Sequence, residues 1–377
     1  MVNGRHFWNG KKVFLTGHTG FKGSWMSIWL LEMGADVTGY SVDIPTIPSL
    51  FETAGLREKL HHIQADVRDY PTLSKSVKEY QPDILIHMAA QPLVRLSYEN
   101  PRETYSTNIM GTVNVLEAVR ETPSIKSTVI ITTDKCYENK EWTFGYREID
   151  PMGGHDPYSS SKGAAELVVS SYNRSFFQKT DQLVCTARAG NVIGGGDWAK
   201  DRLVPDVVQA ICQGEKVLIR NPKAIRPWQH VLEPLSGYLL LAQKAYNGED
   251  IRGGWNFGPR DEDAQNVQWV TEKIGTVWGK GKVWKKDGDE HPHEANYLKL
   301  DISKARMHLK WTPRWDADTA VEKTTLWYKD FYQNDVHSSE DIYQRCLEDL
   351  KNYIDKATYN DRRKTKAKIQ RPYPRVF

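Results

Sequence analysis

The stretch VFLTGHTGFKGSW, residues 13–25, joins a short apolar segment to three evenly spaced glycines, Gly17, Gly20 and Gly23. The apolar residues before the glycines predict a buried strand, and those after them recur at helical spacing. A glycine turn between a strand and a helix brings backbone N–H groups and the positive helix end against a phosphate. The spacing differs from the common Gly-x-Gly-x-x-Gly pattern. The stretch alone therefore fits either a nucleotide-binding turn or an ordinary tight connection.

Length and charge limit the classes of protein to which the chain can belong. Its 377 residues suffice for one large domain or two smaller ones. Lys plus Arg number 51 against 48 for Asp plus Glu, a net charge of +3 that is too small to predict nucleic acid as a partner. The sequence shows neither an apolar span of about 18 residues nor a charged segment followed by an apolar one at its start. We expect a cytoplasmic protein that does not enter a membrane.

Cysteine spacing and the C-terminal charge add two expectations. The four cysteines lack the spacing of a metal site, so we predict no metal and a reducing compartment. Residues 356–377 hold eight Lys or Arg and one Asp. Such a basic tail either binds an anionic surface or lies solvated over the protein.

Short apolar runs follow the first unit and are separated by helix-like stretches. They are ADVTGY (35–40), IQADV (63–67), DILIHMAA (83–90), STVIITT (127–133) and QLVCTARA (182–189). Strands that alternate with amphipathic helices predict an α/β fold, a Rossmann-like doubly wound parallel sheet. Ligands of such sheets bind beyond the carboxyl ends of the strands. The residues that follow each strand are therefore the candidates for function.

The pattern loosens after the sixth strand, which indicates a second unit. We predict a nucleotide-binding domain of residues 1–190 plus about 227–257. A smaller, mixed α/β substrate-binding lobe would comprise residues 191–226 and 258–377, including the basic tail.

Two motifs near the predicted sheet edge carry reactive side chains. TTDKCY places Thr133, Asp134 and Lys135 directly after a strand, and PYSSSK places Tyr158 four residues before Lys162. Positions i and i+4 share a helix face, and an adjacent ammonium lowers the pKa of a phenol from about 10. We therefore expect Lys162 to activate Tyr158. A Tyr-x-x-x-Lys pair is also common in purely structural helices, but its coincidence with Thr133 and the glycine turn favours catalysis.

The motifs TGHTGFKG, ADV, HMAAQ, TTDKCY, PYSSSK and ARAGNVIGGG occur in this order. In them the chain resembles, over most of residues 12–330, the extended short-chain dehydrogenase/reductases that act on nucleotide sugars. GHTGFKGSW and TTDKCYEN are most similar to the 4,6-dehydratase branch that uses CDP-glucose. The resemblance implies NAD as cofactor, CDP-glucose as substrate and a role in dideoxysugar supply for O-antigen lipopolysaccharide. It also implies a homodimer or homotetramer in which helices near 103–120 and 159–175 form a bundle.

The resemblance also implies which residues hold the cofactor. They are Gly17, Thr19, Gly20, Phe21, Gly23, Asp66, Val67, Ala89, Ala90, Tyr158 and Lys162. NAD enzymes usually end the second strand with an acid that binds the ribose 2′-OH, yet Ser41 stands there and Asp43 follows two residues later. Because no Arg stands nearby to meet a 2′-phosphate, we favour NAD over NADP, with Asp43 as the candidate ribose ligand.

For the reaction, the resemblance implies that Tyr158 removes the C4 hydroxyl proton and that Thr133 hydrogen-bonds the same oxygen. Asp134 would be the acid that releases the C6 hydroxyl, and Lys135 stands where dehydratases of TDP-glucose and GDP-mannose carry a glutamate base. A lysine serves as base only with a strongly lowered pKa, so the C5 base stays open. An exposed Asp–Lys ion pair is the alternative interpretation of these two residues.

The family positions that hold the nucleotide diphosphate match Asn191 and Arg226, with Arg202 and Arg260 as weaker candidates. A planar guanidinium suits phosphate because it donates two hydrogen bonds. Two kinds of alternative stay open. One is a 4-epimerase or a dehydratase of another nucleotide sugar, and the other is a non-catalytic module that binds NAD or a nucleotide sugar.

Overall fold

The computed structural model describes residues 5–288, 297–333 and 338–369, the last range with side chains up to residue 356. Its centre is a seven-stranded, all-parallel sheet. The strands are β1 (Lys12–Thr16), β2 (Asp36–Ser41), β3 (His61–Gln64), β4 (Ile84–His87), β5 (Ser127–Ile131), β6 (Leu183–Ala189) and β11 (Gly253–Phe257). They lie in the order β11-β6-β5-β4-β1-β2-β3. The predicted doubly wound parallel sheet is confirmed.

Helices connect the strands and cover the sheet. They are α1 (Arg5–Trp8), α2 (Phe21–Glu32), α3 (Leu50–Thr53), α4 (Tyr70–Tyr80), α5 (Val94–Glu99), α6 (Pro101–Tyr105), α7 (Gly111–Arg120), α8 (Pro157–Tyr172), α9 (Leu203–Gln213), α10 (Leu232–Tyr246), α11 (Val267–Trp278), α12 (Ala317–Gln333) and α13 (Ser339–Ile369). Single turns of 3₁₀-helix lie at Leu56–Glu58, Asp134–Cys136 and Asp261–Asp263, and π-helical turns at Ser106–Met110, Asn173–Phe177 and Ala305–Leu309.

The strands read as continuous apolar runs because both faces of the sheet are buried. Val13 and Leu15 of β1 belong to one hydrophobic cluster, whereas Phe14 between them belongs to another. Successive side chains of a strand point to opposite faces. Residues of α2 and α10 line the first cluster, and residues of α4, α7 and α8 line the second.

The predicted third strand, 63–67, is displaced: β3 begins at His61 and ends at Gln64. Asp66 leaves the ladder because its carbonyl accepts hydrogen bonds from the Tyr40 hydroxyl and from the backbone N–H of Asp69. This turn starts the approach to α4, so the apolar pattern of IQADV extends beyond the strand itself.

Short paired strands and the remaining helices occupy the rest of the chain. The strands are β7 (Val192–Ile193), β8 (Val217–Ile219), β9 (Ile225–Arg226), β10 (Gln229–His230), β12 (Gln265–Asn266) and β13 (Trp284–Lys286). After them the chain returns to the main sheet, since α13 packs against α2 and α3. The division into two lobes at the predicted boundaries stays a prediction.

Three observations concern expectations from composition. Within the described residues, no helix combines the length and apolar character that a membrane crossing requires. In the same part of the chain, no group of three His, Cys, Asp or Glu side chains could hold a metal ion. The four cysteines are free thiols. Of the basic tail, the side chains beyond residue 356 and the backbone beyond residue 369 lie outside the described residues.

Candidate active site

The candidate site lies at the edge of the sheet where neighbouring parallel strands end. The pairings of β1 with β4 and of β4 with β5 bring three strand ends together. The glycine turn follows β1, Ala89 and Ala90 follow β4, and Thr133 follows β5. This edge is where doubly wound sheets bind their ligands.

The glycine turn has the shape of a dinucleotide cradle. Gly17 has a φ of +74°, and a Cβ atom there would lie 2.6 Å from the Ala89 backbone nitrogen. A Cβ atom on Gly23 would lie 2.1 Å from the Gly17 carbonyl oxygen, so only glycine lets α2 pack this closely against the turn. The N-cap residue of α2 is Gly20, which has no side chain to cap the first turn. Its N–H groups therefore suit a phosphate, and the residues present fit a dinucleotide such as NAD.

The end of β2 is built from histidines and a serine rather than an acid. Ser41 Oγ lies 3.1 Å from His18 Nδ1, and His18 Nε2 lies 2.7 Å from His62 Nδ1. Burial and the neighbouring His62 lower the pKa of His18 to about 3, so His18 is neutral. Asp43 is exposed, and its backbone carbonyl accepts the Thr19 hydroxyl at 2.7 Å. The Asp43 carboxylate stays a candidate ribose ligand.

Asp66 and Val67 lie beyond β3. Burial would raise the pKa of Asp66, but hydrogen bonds from Arg68 hold it below its usual value. Arg68 Nη2 and Nε donate to Asp66 Oδ2 at 2.6 and 2.8 Å. Val67 is buried, and a Cβ atom on Gly111 would approach it to 2.9 Å. Arg68 thus holds the ionised Asp66 carboxylate in place beyond the end of β3.

Helix α8 carries the Tyr158–Lys162 pair. It begins at Pro157, and the Asp156 side chain caps it by accepting the Ser159 N–H at 2.9 Å. Lys162 is buried, and its Nζ donates to the Ile131 carbonyl at 3.1 Å. Burial lowers the pKa of Lys162 to about 8, although Glu166 opposes this effect.

The activation of Tyr158 by Lys162 stays a prediction. Burial raises the pKa of Tyr158 to about 12, the Thr133 hydrogen bond and the Arg202 charge oppose this, and Asp134 adds to it. The Lys162 ammonium itself donates to the Ile131 carbonyl at the end of β5.

Thr133 and Asp134 form the buried core of the site. The Thr133 hydroxyl donates to Asp134 Oδ1 at 3.0 Å. Asp134 Oδ2 is buried and has no hydrogen-bond partner in the described part of the chain. Burial raises the pKa of Asp134, against the opposing charges of Lys135 and Arg226. Asp134 is thus not a member of an exposed ion pair. Its raised pKa makes it a candidate proton donor.

Of the predicted diphosphate ligands, two arginines lie near Tyr158 or Asp134 and a third does not. Arg202 forms an ion pair with Asp197 at 2.7 Å and lies close enough to act on the pKa of Tyr158. Arg226 is buried, and its charge opposes the rise in the pKa of Asp134. Asn191 is half-buried, and its carbonyl accepts the Gln229 N–H at 3.1 Å. Arg260 is exposed and donates to the Pro313 carbonyl, so no described contact joins it to the others.

Two side chains of the site were missed from the sequence. Burial lowers the pKa of Lys22 to about 8, with smaller effects from Arg202, Lys162 and Asp134, which places its amine in the same cluster. Tyr238 of α10 is buried, and its hydroxyl has no hydrogen-bond partner among the described residues. Lys22 Nζ lies 5.9 Å from the Tyr238 ring centroid. A lysine in the first turn of a helix, where cations are disfavoured, was the available signal for Lys22.

Comparisons with known proteins agree with this geometry. Residues 14–324 match the family model described as GDP-mannose 4,6 dehydratase. The chain is 56% identical over 331 residues to a CDP-glucose 4,6-dehydratase of Salmonella typhimurium, covering 86% of this chain and 92% of the relative. It is 26% identical over 337 residues to a dTDP-glucose 4,6-dehydratase of Xanthomonas campestris pv. campestris, covering 83% and 92%.

Solved structures show the same fold. A UDP-glucose 4-epimerase of Thermotoga maritima superposes with a TM-score of 0.75 at 19% identity, covering 85% of this chain and all of that one. A dTDP-glucose 4,6-dehydratase of Streptomyces venezuelae, solved with NAD, superposes with a TM-score of 0.73 at 22% identity, covering 85% and 97%. Because the family model spans most of the chain and a relative shares more than half of the aligned residues, the chain belongs to the GDP-mannose 4,6 dehydratase family.

Proposed function

We propose that the chain is an NAD-dependent hydro-lyase that converts CDP-D-glucose to CDP-4-keto-6-deoxy-D-glucose and so feeds dideoxysugar biosynthesis. The observation that carries the proposal is the buried Asp134, whose pKa is raised and whose Oδ2 is unpartnered within the described residues, next to Thr133 and Tyr158. Elimination of the C6 hydroxyl requires a proton donor besides the residue that serves the C4 oxygen, whereas epimerisation at C4 uses that residue alone. The relative of Salmonella typhimurium supports CDP-glucose as the substrate.

The first half of the proposed reaction uses the end of β5 and the start of α8. Tyr158, once ionised, accepts the C4 hydroxyl proton of the sugar, and Thr133 hydrogen-bonds the same oxygen. Bound NAD supplies the hydride chemistry, oxidising C4 and later reducing C6. Lys162, whose Nζ donates to the Ile131 carbonyl, is proposed to bind the nicotinamide ribose.

The second half of the proposed reaction uses the 3₁₀ turn after β5. The C4 ketone acidifies the C5 hydrogen, so a base there removes it while Asp134 protonates the departing C6 hydroxyl. Gly190 packs closely against Asp134, since a Cβ atom at 190 would lie 2.8 Å from Asp134 Oδ2. Lys135, half-buried next to Asp134, is the proposed C5 base.

The remaining contacts are assigned by charge and position. Arg226, Arg202 and Asn191 are proposed to hold the diphosphate, with exposed Arg260 further out. The proposed NAD contacts are Gly17, Thr19, Gly20, Phe21, Gly23, Asp43, Asp66, Val67, Ala89, Ala90, Tyr158 and Lys162. The proposed lobes are residues 1–190 with about 227–257, and residues 191–226 with 258–377.

We also propose a cytoplasmic homodimer or homotetramer built through helices α6 to α8. The free cysteines support a reducing compartment. Met110, in the π-helical turn between α6 and α7, and Leu167 of α8 are large apolar side chains that are 50% and 62% exposed. Light scattering should show that Leu167→Glu shifts the protein toward monomer. Ile47→Glu is the matched control, because Ile47 is 98% exposed elsewhere. A wild-type monomer would contradict the assembly.

The test of function is a mass-spectrometric product assay with CDP-glucose, TDP-glucose, GDP-mannose and UDP-glucose in parallel, with and without added NAD. We expect CDP-glucose alone to lose the mass of one water. Tyr158→Phe should abolish this loss, whereas Tyr172→Phe at the other end of α8 should not. If every sugar keeps its water, the dehydratase proposal fails. An unchanged mass with a changed sugar configuration would instead identify a 4-epimerase, and neither change would leave a binding module.

The base assignment has its own test. Lys135→Ala should permit C4 oxidation and stall before elimination, so NADH absorbance should rise and persist. Lys140→Ala is the matched control, since Lys140 is exposed five residues further along. Full turnover by Lys135→Ala would remove Lys135 from the mechanism.

A further inference from the structure

We propose that the ion pair between Arg95 and Asp201 is a latch across the active-site crevice, which opens whenever the nucleotide sugar enters or leaves. Arg95 Nη1 lies 2.9 Å from Asp201 Oδ1. The latch rests on the proposed function, because it acts only if the nucleotide sugar binds in this crevice. Neither residue is among the proposed catalytic or binding groups, and the latch gives both a task in substrate exchange.

The order of the strands places this pair over the end of β5. Arg95 lies in the first turn of α5, in the connection that follows β4, and Asp201 lies in the connection that follows β6. Strand β5 lies between β4 and β6, and Thr133 and Asp134 follow its end. Helix α5 also packs against α8, which carries Tyr158. The pair therefore spans the crevice beyond the middle strand, where such sheets bind their ligands.

The loop that carries Asp201 is anchored by buried side chains. The Tyr328 hydroxyl accepts the Asp197 N–H at 3.0 Å and donates to the Asp197 carbonyl at 2.5 Å. Trp25 Nε1 donates to the Gly195 carbonyl at 2.9 Å. The base of the loop is thus fixed, whereas Asp201 lies at its exposed tip.

The segment that carries Arg95 is anchored through Gln91. The Gln91 N–H donates to Asn108 Oδ1 at 2.9 Å. Its side-chain amide donates to Thr104 Oγ1 at 2.8 Å and accepts the Leu93 N–H at 2.6 Å. The ion pair is therefore an exposed joint between two supports that are each hydrogen-bonded to the body of the protein.

The latch is weak enough to open repeatedly. The Arg95 and Asp201 side chains are 41% and 44% exposed, and ion pairs exposed to this degree contribute little free energy because water screens them. Arg220 Nη2 lies 3.6 Å from the same Asp201 oxygen and competes for it. Asp201 also has a φ of +60°, a left-handed conformation that only Gly, Asn and Asp adopt readily. The closed state is therefore only slightly favoured.

The test measures how fast the nucleotide sugar that wild type dehydrates, expected to be CDP-glucose, binds to and leaves a Tyr158→Phe protein that cannot oxidise it. Stopped-flow tryptophan fluorescence with NAD present gives both rates. Asp201→Asn removes the charge and keeps a residue that tolerates the left-handed conformation. Because the latch closes with and without ligand, association and dissociation should both become about two- to fivefold faster while Kd stays constant.

Three further measurements identify the ion pair as the cause. Arg95→Gln should give the same increase, and the double variant should be no faster than either single variant. At about 1 M NaCl, where the screening length is about 3 Å, Asp201→Asn and its parent should exchange ligand equally fast. Lys78→Gln is the matched control, because it breaks a 2.7 Å pair with Glu121 whose side chains are 46% and 33% exposed. That pair joins α4 to the end of α7, before β5 begins, so both rates should stay unchanged.

Unchanged or slower exchange in Asp201→Asn or Arg95→Gln would overturn the latch. A higher Kd with an unchanged association rate would overturn it as well, because the two residues would then hold the bound ligand rather than block its passage. Failure of wild type to dehydrate any sugar in the product assay defeats the proposed function, and the latch with it. Normal dehydration beside unchanged exchange rates defeats only the latch.

Discussion

Two buried carboxyl groups lie beside the consecutive threonines that follow β5, and their surroundings differ. Thr132 donates to Glu166 Oε1, and Thr133 donates to Asp134 Oδ1. Glu166 also accepts two hydrogen bonds from Arg188, at 2.9 and 2.7 Å. Asp134 Oδ2 has no partner within the described residues.

The pKa directions of the two carboxyls follow from these partners. Burial alone would raise both, but the Arg188 charge and the hydrogen bonds hold the pKa of Glu166 below its usual value. For Asp134, burial outweighs Lys135, the Thr133 hydrogen bond and Arg226, so its pKa rises. A buried carboxyl therefore has the raised pKa of a proton donor only where few hydrogen bonds and opposite charges stabilise its ionised form.

The largest effect should come from Asp134→Asn, which tests whether the unpartnered carboxyl is the functional one. The amide keeps the shape but holds no transferable proton, so product formation should fall by about 10² to 10⁴-fold. Stability should hold or rise, because a buried, poorly paired carboxyl is removed. The product assay and thermal unfolding of the same preparation measure both. A marked loss of stability with full activity would reverse the roles of the two carboxyls.

Glu166→Gln should have the opposite effect, a loss of stability with the activity of the folded protein retained. It removes the charge opposite Arg188, and both side chains are 5% exposed. Breaking one partner of a buried ion pair lowers the free energy of unfolding by about 3 to 5 kcal/mol. Denaturant unfolding measures this, with activity corrected for the folded fraction as the control. Unchanged stability would show that the Glu166 network does not hold the sheet edge together.

The two carboxyls should also give opposite pH dependences of stability. The folded pKa of Glu166 lies below its unfolded value of 4.5, so its contribution is complete above about pH 4.5 and is lost as pH falls through the folded pKa. The folded pKa of Asp134 lies above 3.8, so stability falls as pH rises from 3.8 toward the folded pKa. Each slope is at most about 1.4 kcal/mol per pH unit. Unfolding of wild type, Glu166→Gln and Asp134→Asn across pH should separate them, and parallel curves would contradict the contrast.

Much of the fold and the position of the site could be predicted from the sequence. Strands buried on both faces appear as continuous apolar runs, which is why STVIITT was recognised as a strand with Thr133 at its end. Parallel topology then places residues after different strands at one edge. This reasoning is local, and it requires only strand order.

The electrostatic state of the site could not be predicted in this way. Tyr158 and Lys162 do share the first turns of α8, but the Ile131 carbonyl that holds Lys162 and the burial that raises the pKa of Tyr158 come from tertiary packing. Tyr238 lies in an apolar helix and has no sequence signal. The Arg188–Glu166 pair was missed for the same reason, because its members are 22 residues apart and meet only in the fold.

The smallest effect is expected from Thr132→Val, which can be compared with the same substitution at Thr133. Thr132→Val removes one neutral donor from Glu166, which keeps its hydrogen bonds from Arg188 and from Thr186 at 2.6 Å. Losing one such hydrogen bond should lower the free energy of unfolding by about 1 kcal/mol. Product formation should stay near the wild-type rate, because the Thr133 hydroxyl is untouched. The same substitution one residue later removes the hydrogen bond to Asp134, so it should lower stability by a similar amount and also lower product formation. If Thr132→Val also abolished product formation, the two carboxyls would act as one network, and the separation of a structural from a chemical carboxyl at this strand end would be lost.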